Sequence, residues 1–276
     1  METATIPSCL LTTNLDEPAG VSVDPPKAAM CTVPYSHLIF NPQKNLKKVV
    51  EHCKSVYDAV YFISGLSSSV KNLVDQRALG KSIMLQGLNH KNKLKKTLFV
   101  DLDETLVHTS FTEGAEFVNC LEIESRTVWF NVRPHAFEFL KNMGKLYEIV
   151  MFTAAERSYA EAFFNYFNLR SDGAISELLS RENCVHIYKG VYFKDLRIVQ
   201  NRHLKDMVLL DNSAHCFGSL LNNGVPISSF TKDPHDYELM FLESYLESLS
   251  TVEDVREYNK KELRLSQILE VTNVQL

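Results

Sequence analysis

Residues 97–106 read TLFVDLDETL, and this stretch decides the fold class of the chain. The mainly apolar run over 97–100 ends abruptly in two carboxylates, Asp101 and Asp103, which one leucine separates. Continuous apolar runs are typical of buried parallel strands, and open α/β sheets bind ligands beyond the carboxyl ends of their strands. Alternate residues of an extended chain point to the same side, so the two carboxylates can share one site. Two like charges that lie close together need a metal ion, a shared proton or a covalent role for one of them.

Three further extended segments also end in polar side chains. These are residues 148–152 before Thr153, residues 207–210 before Asp211 and Asn212, and residues 185–193 before Lys194. Helical patterns alternate with the strands, which predicts a doubly wound, mostly parallel α/β sheet. The polar side chains would then converge on one edge of that sheet.

Between the first strand and Pro134 the sequence predicts a small β-hairpin insertion. Residues 116–132 alternate as a β-hairpin does, with a turn at Ser125 and Arg126. Pro134 is expected at the first position of a helix, where a proline is tolerated. In the same way, Asp233 and the proline after it are expected to open a last long helix.

The chain divides into four segments. Residues 1–34 are rich in Thr, Pro, Ala and Ser without any period, and we expect a disordered tail there. Residues 35–93 carry apolar residues at helical spacing, broken by Gly65 and the serines after it, and end in a basic linker. The α/β pattern occupies residues 94–258. Residues 259–276 form a C-terminal tail that we expect to be helical.

The overall composition argues against several classes of protein. With 276 residues, 45% of them apolar, and a net charge of −5, the chain can bury a full core and lacks the basic balance of a nucleic-acid binder. No apolar stretch approaches the roughly 20 residues that span a bilayer, and the N-terminus lacks the pattern of a secretory signal. The six cysteines are scattered without a Cys-x-x-Cys pair, as is typical of reduced thiols. We therefore expect a protein that stays inside the cell and binds neither nucleic acid nor membranes. We further expect a monomer, nuclear or cytoplasmic.

The polar groups at the strand ends have the chemistry of a phosphoryl-transfer site. Carboxylates with an amide suit Mg²⁺, which prefers oxygen ligands, and a phosphate would complete the balance of charge. Asp101 is a candidate nucleophile that forms an aspartyl phosphate, and Asp103 is a candidate general acid and base with a raised pKa. Lys194 and the Thr153 hydroxyl would bind the phosphoryl oxygens.

Each of these residues also has an ordinary structural interpretation. An isolated Asp-x-Asp can be a strand that runs into a solvated acidic turn. Thr153 can cap a helix, Lys194 can pair with Asp195 at the surface, and residues 211–213 can form a plain turn. Their occurrence together, in this order, favours the functional interpretation.

Several motifs in register resemble those of the haloacid-dehalogenase-like phosphatases. Within them the chain is similar to the branch that dephosphorylates the C-terminal repeat of RNA polymerase II, and most similar to the small phosphatase-like subgroup. The matching motifs are DLDETLVH at 101–108, FTA at 152–154, RENC at 181–184, GVYFKDL at 190–196 and LDNS at 210–213.

The resemblance implies a role for each matched position. It implies Mg²⁺ bound by the Asp101 carboxylate, the Asp103 backbone carbonyl and Asn212, with Asp211 supporting the metal through its water. It implies Asp101 as nucleophile, Asp103 as acid and base, and Thr153 and Lys194 as phosphate anchors. It further implies that the β-hairpin insertion caps the site. It also implies substrate contacts from Arg181, from Tyr159, which matches a tyrosine that holds a substrate proline, and from Phe111 in the apolar insertion.

The predicted function is that of a magnesium-dependent protein serine/threonine phosphatase. A shallow aromatic pocket suits a Pro-bearing extended phosphopeptide, such as the polymerase repeat, better than it suits a free metabolite. Two alternatives stay open at this point: a small-molecule phosphatase or phosphotransferase of the same superfamily, and a phosphopeptide-binding protein without turnover.

Overall fold

The computed structural model describes residues 46–86, 96–187 and 190–267. The tail predicted over 1–34, most of the basic linker and the last nine residues lie outside the described residues. The described residues form six helices: α1 Leu46–Gly65, α2 Ser68–Leu79, α3 Ala136–Leu146, α4 Arg157–Arg170, α5 Glu238–Thr251 and α6 Val255–Glu262. They form ten strands: β1 Lys96–Val100, β2 Val107–Ser110, β3 Asn119–Ile123, β4 Arg126–Val132, β5 Tyr147–Phe152, β6 Ile175–Leu179, β7 Val185–His186, β8 Tyr192–Phe193, β9 Met207–Asp211 and β10 Gly224–Pro226.

A five-stranded parallel sheet forms the centre of the fold, which confirms the predicted α/β class. The strand order is β10-β9-β1-β5-β6. The chain therefore adds β5 and β6 on one side of β1, and later adds β9 and β10 on the other side. Every residue of β1, β5 and β9 is buried, which is why their sequences lack polar alternation. The reversal of strand order beside β1 is the position at which open α/β sheets bind ligands.

Sequence periodicity missed two strands of this sheet, β6 and β10. The β6 strand shows little alternation, and β10 has only three residues, one of them a glycine and one a proline. Both lie at the edges of the sheet, where a short strand needs only one hydrogen-bonded neighbour.

The insertion after β1 is a three-stranded antiparallel sheet with the order β2-β4-β3. It contains the predicted hairpin as β3 and β4, and β2 adds a third strand on the other side of β4. The expected turn at Ser125 and Arg126 is wrong by one residue, because Ile123 pairs with Arg126 and leaves Glu124 and Ser125 as the two-residue loop. Glu124 adopts a left-handed conformation there, with φ of 57°.

Both helix starts predicted at prolines are wrong. Helix α3 begins at Ala136, because His135 before it adopts a left-handed conformation with φ of 66° and Pro134 lies in the preceding turn. Helix α5 begins at Glu238, four residues after Pro234, and its first turn is preceded by a loop in which Asp236 accepts a hydrogen bond from the Glu238 amide. Long-range contacts of that loop, described below, explain the delay.

The two N-terminal helices pack onto the same hydrophobic core as the sheet. The predicted break after Gly65 is present, and Ser67 caps α2 by accepting a hydrogen bond from the Val70 amide. Helix α1 packs against the short helical turn Ala214–Phe217 that follows β9. Helix α1 therefore lies next to the carboxyl ends of the parallel strands.

At the amino ends of the central strands, a largely buried ion pair joins the sheet to the segment before β9. Arg202 binds both carboxylate oxygens of Glu148 at 2.9 Å, and the Thr97 hydroxyl donates to the same carboxylate. Among the described helices, none is both long enough and apolar enough to cross a membrane.

Candidate active site

Three neighbouring strands deliver the polar side chains that the sequence pattern predicts. Asp211 ends β9, Asp101 follows β1 and Thr153 follows β5, and these strands lie side by side in the sheet. The Asp101 amide continues the ladder by donating to the Leu210 carbonyl at 3.0 Å. The expected convergence on one edge is therefore present.

A buried ammonium group joins two of these carboxylates. The Lys194 Nζ atom lies 2.5 Å from Oδ1 of Asp101 and 2.6 Å from Oδ2 of Asp211, and its side chain has no solvent exposure. Neighbouring Asp195 pairs with Arg197 instead. The interpretation of Lys194 as half of a surface ion pair with Asp195 is therefore wrong.

Lys194 reaches the cluster from outside the central sheet. The extended segment before it was expected to be a further strand of that sheet, but β7 and β8 form a separate two-stranded hairpin. The Lys194 amide donates to the Cys216 carbonyl, which anchors the backbone beside the turn after β9. Gly218 closes this turn with φ of 52°, and a Cβ atom there would lie 2.8 Å from the Phe193 ring. Position 218 therefore requires a glycine, because a side chain there would collide with Phe193, the residue before Lys194.

The second oxygen of Asp101 faces a network that leads to Asn212. Thr105 donates to Asp101 Oδ2 at 2.9 Å and lies 3.5 Å from Oδ1 of Asn212, while the Asn212 amide donates to Ser229 at 3.0 Å. That last bond fixes the orientation of the Asn212 side chain, with its oxygen toward Thr105 and Asp101. The Thr105 hydroxyl thus holds an oxygen of Asp101 and an oxygen of Asn212 close to each other.

This set of donors fits a hard divalent cation. In the part of the chain that the structure describes, no three side chains from His, Cys, Asp and Glu converge closely enough to hold a metal ion. An ion at this edge would therefore depend on carboxylate and amide oxygens with backbone carbonyl groups and water, which is the coordination that Mg²⁺ prefers. Burial and the nearby Asp211 carboxylate raise the pKa of Asp101, and a cation or the Lys194 ammonium opposes that shift.

Asp103 lies in a different environment from Asp101. Its Oδ1 atom accepts a hydrogen bond of 2.6 Å from the Tyr159 hydroxyl, and burial raises the pKa of its carboxyl to about 6 in spite of that bond. The next residue, Glu104, adopts a left-handed conformation with φ of 54°, which is uncommon for a residue other than glycine. Its carbonyl accepts from the Phe230 amide, so a long-range contact holds the turn. A carboxyl group with this pKa can both give and take a proton near neutral pH.

Thr153 is buried and does not cap the helix that follows. Helix α4 begins at Arg157, and the Thr153 hydroxyl oxygen accepts a hydrogen bond from the Ala155 amide at 3.0 Å. An accepting hydroxyl retains its own proton, which can be donated to an incoming oxygen. The interpretation of Thr153 as a helix cap is therefore wrong, whereas the turn predicted over 211–213 is present, because Asp211 accepts from the Ser213 amide.

Arg181 and Phe111 lie at the periphery of the cluster. Arg181 donates to the Ala154 carbonyl and pairs with Glu156, so it braces the loop that carries Thr153. Phe111 is half-buried and packs against the hydrophobic core, while Val118 on the same insertion is 81% exposed. The substrate contacts of Arg181 and Phe111 stay predictions.

Besides Thr105, sequence reasoning missed a second buried residue of this site, Arg133. Its side chain is fully buried and binds both oxygens of Asp236 at 2.9 Å. It also donates to the Thr105 carbonyl and to Ser228. Arg133 therefore ties the turn that orients Asp101 to the loop before α5, and this explains why that helix begins late. The signal that the sequence offered for this residue was an arginine directly after strand β4.

A polar cleft of about 540 Å³ opens beside Asn212 and Ser229. One wall is α1, which contributes residues such as Ser55, and the other is the loop over 228–238. An ion pair of 2.5 Å between Lys48 and Asp233 connects the two walls. A peptide bound in this cleft would therefore contact the N-terminal helix α1.

Comparison with known proteins shows similarity over most of this structure. The model of a family described as NLI interacting factor-like phosphatase matches residues 96–256. The CTD small phosphatase-like protein 2 of Dictyostelium discoideum is 36% identical over 208 residues, which cover 72% of this chain and 35% of that protein. The CTD small phosphatase-like protein 3 of Caenorhabditis elegans is 40% identical over 174 residues, covering 61% and 60%.

A human relative is named for its substrate. The carboxy-terminal domain RNA polymerase II polypeptide A small phosphatase 1 is 39% identical over 165 residues, covering 58% of this chain and 62% of the relative. The matches to these relatives thus span from about a third to about three fifths of the relatives' own lengths. A solved structure of Fcp1, an essential RNA polymerase II CTD phosphatase, shows 17% identity and a TM-score of 0.42 over 66% of this chain and 50% of that one, a likeness too weak to inform the site.

Proposed function

The chain belongs to the NLI interacting factor-like phosphatase family, and we propose that it is a magnesium-dependent protein serine/threonine phosphatase. The observation that carries this proposal is the position of Asp101. A buried ammonium group lies on one of its oxygens and a hydroxyl group on the other, at the edge of the sheet where ligands bind. Lys194 favours the ionised form of this carboxylate and, together with Thr105, orients it, as a nucleophile requires.

In the first step a carboxylate oxygen of Asp101 attacks the phosphorus of the substrate. The new bond is an aspartyl phosphate, the bond between phosphorus and the ester oxygen breaks, and its electron pair stays on the leaving oxygen. Asp103 gives its proton to that oxygen, which releases the serine or threonine hydroxyl. Lys194 and the Thr153 hydroxyl stabilise the charge on the phosphoryl oxygens.

In the second step Asp103, now ionised, takes a proton from a water molecule. The water oxygen attacks phosphorus, the bond to Asp101 breaks, and the carboxylate is restored as phosphate leaves. The Asp101 carboxylate, the Asp103 carbonyl and Asn212 would hold Mg²⁺, with Asp211 acting through a bound water. The ion supplies positive charge that neutralises the phosphoryl oxygens.

The surroundings of the carboxylate cluster support a phosphopeptide as the substrate class. The small insertion sheet is apolar on part of its surface, and the polar cleft beside Asn212 has room for residues that flank a phosphorylated side chain. These two surfaces favour an extended phosphopeptide over a small metabolite. We propose the C-terminal repeat of RNA polymerase II, or a similar Pro-containing phosphoprotein, as the substrate.

A phosphopeptide panel tests this proposal directly. Polymerase-repeat phosphopeptides and unrelated phosphopeptides are compared for phosphate release, with wild-type protein and with Asp101→Asn. We expect turnover that requires Mg²⁺, is abolished in Asp101→Asn and is insensitive to thiol oxidants. Full activity of Asp101→Asn, or activity in excess chelator, contradicts the mechanism. Turnover of small phosphate esters without turnover of any peptide contradicts the substrate class.

A further inference from the structure

We propose that Tyr159 is a positioning residue for the acid and base Asp103, and that Thr109 of the insertion sheet holds Tyr159 in that role. This inference rests on the proposed phosphatase function. It assigns the Tyr159 hydroxyl to the enzyme's own proton-transfer group, whereas the family resemblance assigns this tyrosine to a substrate proline.

The hydroxyl of Tyr159 lies between two oxygens. It is 2.6 Å from Oδ1 of Asp103 and 3.0 Å from the hydroxyl oxygen of Thr109. A phenol has a single proton, so it donates to only one of these oxygens. The shorter contact to a carboxylate takes that proton, and Thr109 then donates to the Tyr159 oxygen. The three residues form a directional chain from the insertion to Asp103, in which each bond strengthens the next.

The ring of Tyr159 is fixed before any substrate arrives. It lies near the start of α4 and packs against Phe163 with 4.9 Å between ring centroids. Phe163 in turn contacts Phe130 of β4 edge-to-face at 5.0 Å. Because β4 belongs to the insertion sheet, both the ring and the hydroxyl of Tyr159 are located by the insertion.

This placement gives the two carboxyl oxygens of Asp103 different tasks. Oδ1 accepts from Tyr159, and Oδ2 is then the oxygen that delivers a proton to the leaving group or receives one from water. A carboxyl group without this bond rotates more freely and presents its proton correctly for less of the time. The loss is largest for a leaving group that cannot depart without a proton, and smallest for one that departs as a stable anion.

The test compares two small phosphate monoesters that carry no peptide. One is p-nitrophenyl phosphate, whose leaving group is a stable anion, and the other is O-phosphoserine, whose alkoxide requires a proton. The kcat/KM of each reports the steps up to formation of the aspartyl phosphate. For Tyr159→Phe we expect kcat/KM for O-phosphoserine to fall about 10- to 100-fold, and that for p-nitrophenyl phosphate to fall less than about 3-fold.

Variants of Thr109 and a second tyrosine complete the design. In Thr109→Val we expect kcat/KM for O-phosphoserine to fall more than that for p-nitrophenyl phosphate, but by a smaller factor than in Tyr159→Phe. Thr109→Ser keeps the hydroxyl group, so its kcat/KM should be close to that of the wild type for both substrates. Tyr166→Phe, in the same helix and the same aromatic cluster, is the matched control and is expected to leave both substrates unchanged.

Two results would overturn the inference. Equal losses for both esters would indicate a merely structural role, and a loss confined to Pro-containing phosphopeptides would return Tyr159 to substrate binding. Wild-type protein that hydrolyses neither ester nor any phosphopeptide would instead refute the proposed function, and the inference with it.

Discussion

The ammonium of Lys194 and the carboxylate of Asp101 form a buried ion pair, with 2.5 Å between Nζ and Oδ1, although 93 residues separate them in the chain. Asp101 is delivered by the central sheet and Lys194 by a hairpin outside it. The pair therefore forms only when these two parts of the fold are assembled. Its geometry makes Lys194 the counter-charge of the carboxylate cluster, in addition to the phosphate-binding role that we propose for it.

Replacement of this ammonium should cost both stability and activity. Lys194→Met leaves Asp101 and Asp211 buried without their shared cation, and breaking such a pair costs about 3–5 kcal/mol. We expect a lower midpoint in urea unfolding at neutral pH, measured with chelator, and kcat reduced at least about 100-fold. Burial raises the pKa of Asp101, and the variant lacks the ammonium that opposes this shift, so its stability relative to wild type should recover as pH falls. A variant as stable as wild type at pH 7 would contradict the proposed counter-charge role.

Arg133 should affect activity through the turn that it holds. In Arg133→Met, Asp236 loses a bidentate partner and the Thr105 carbonyl loses a donor, so Thr105 orients Asp101 less well. We expect a loss of about 3–5 kcal/mol in stability and a fall of kcat/KM of about 10-fold or more on fully folded protein.

Arg202→Met is the matched control for this change. It removes another buried bidentate pair, with Glu148, at the edge of the sheet remote from the cluster. It should lower stability by a similar amount while leaving kcat/KM of the folded protein near the wild-type value. Equal kcat/KM values for the two variants would show that Arg133 acts on stability alone.

The pH dependence of stability should reveal His215. This histidine packs its ring against Phe62 of α1, and burial lowers its pKa to about 4. The unfolded chain binds a proton near the usual pKa of about 6.5, so His215 stabilises the fold above that pH and this contribution is lost as pH falls toward 4. At about 1.4 kcal/mol per pKa unit, the loss is on the order of 2–3 kcal/mol.

The variant His215→Phe keeps an aromatic ring and removes the titration. Chemical denaturation between pH 4 and 7 should show a shallower pH dependence than wild type, whereas His203→Phe, at an exposed position, should show the wild-type slope. Parallel curves for His215→Phe and wild type would contradict this assignment.

Blocking the polar cleft should separate peptide substrates from small ones. Ser55 lies in the cleft wall on α1 and is exposed, so Ser55→Trp adds bulk to the space that we assign to the substrate chain. We expect kcat/KM for phosphopeptides to fall about 10-fold while that for p-nitrophenyl phosphate is unchanged. Ser69→Trp, at an exposed position of α2 outside the cleft, should alter neither. Unchanged peptide kinetics in Ser55→Trp would exclude this path for the substrate.

The local sequence pattern was sufficient to predict much of the fold, because strands and helices depend largely on residues that are near one another in the chain. The apolar runs before Asp101, Thr153 and Asp211 predicted three buried parallel strands with polar ends, and adjacent strands of one sheet bring those ends together. The break after Gly65 was equally visible, since a glycine and a run of serines interrupt helical spacing.

The helix starts show where local pattern was not sufficient. An Asp-Pro pair is a good start signal, yet α5 begins later because Arg133 holds Asp236 in the preceding loop. That contact joins residues more than a hundred positions apart, and no short-range propensity reports it. Strand β10 was missed for a similar reason, because three residues carry no period and only pairing with β9 makes them a strand.

The sequence by itself determined which side chains end the strands, and with them the fold class and most members of the candidate site. Tertiary structure alone decided how those side chains are used. It placed Lys194 between two carboxylates, buried Arg133 behind Thr105, and aimed the Tyr159 hydroxyl at Asp103. Strand ends are fixed by the alternation of local segments, whereas these contacts depend on the packing of elements that are distant in sequence, where burial and charge select the partner.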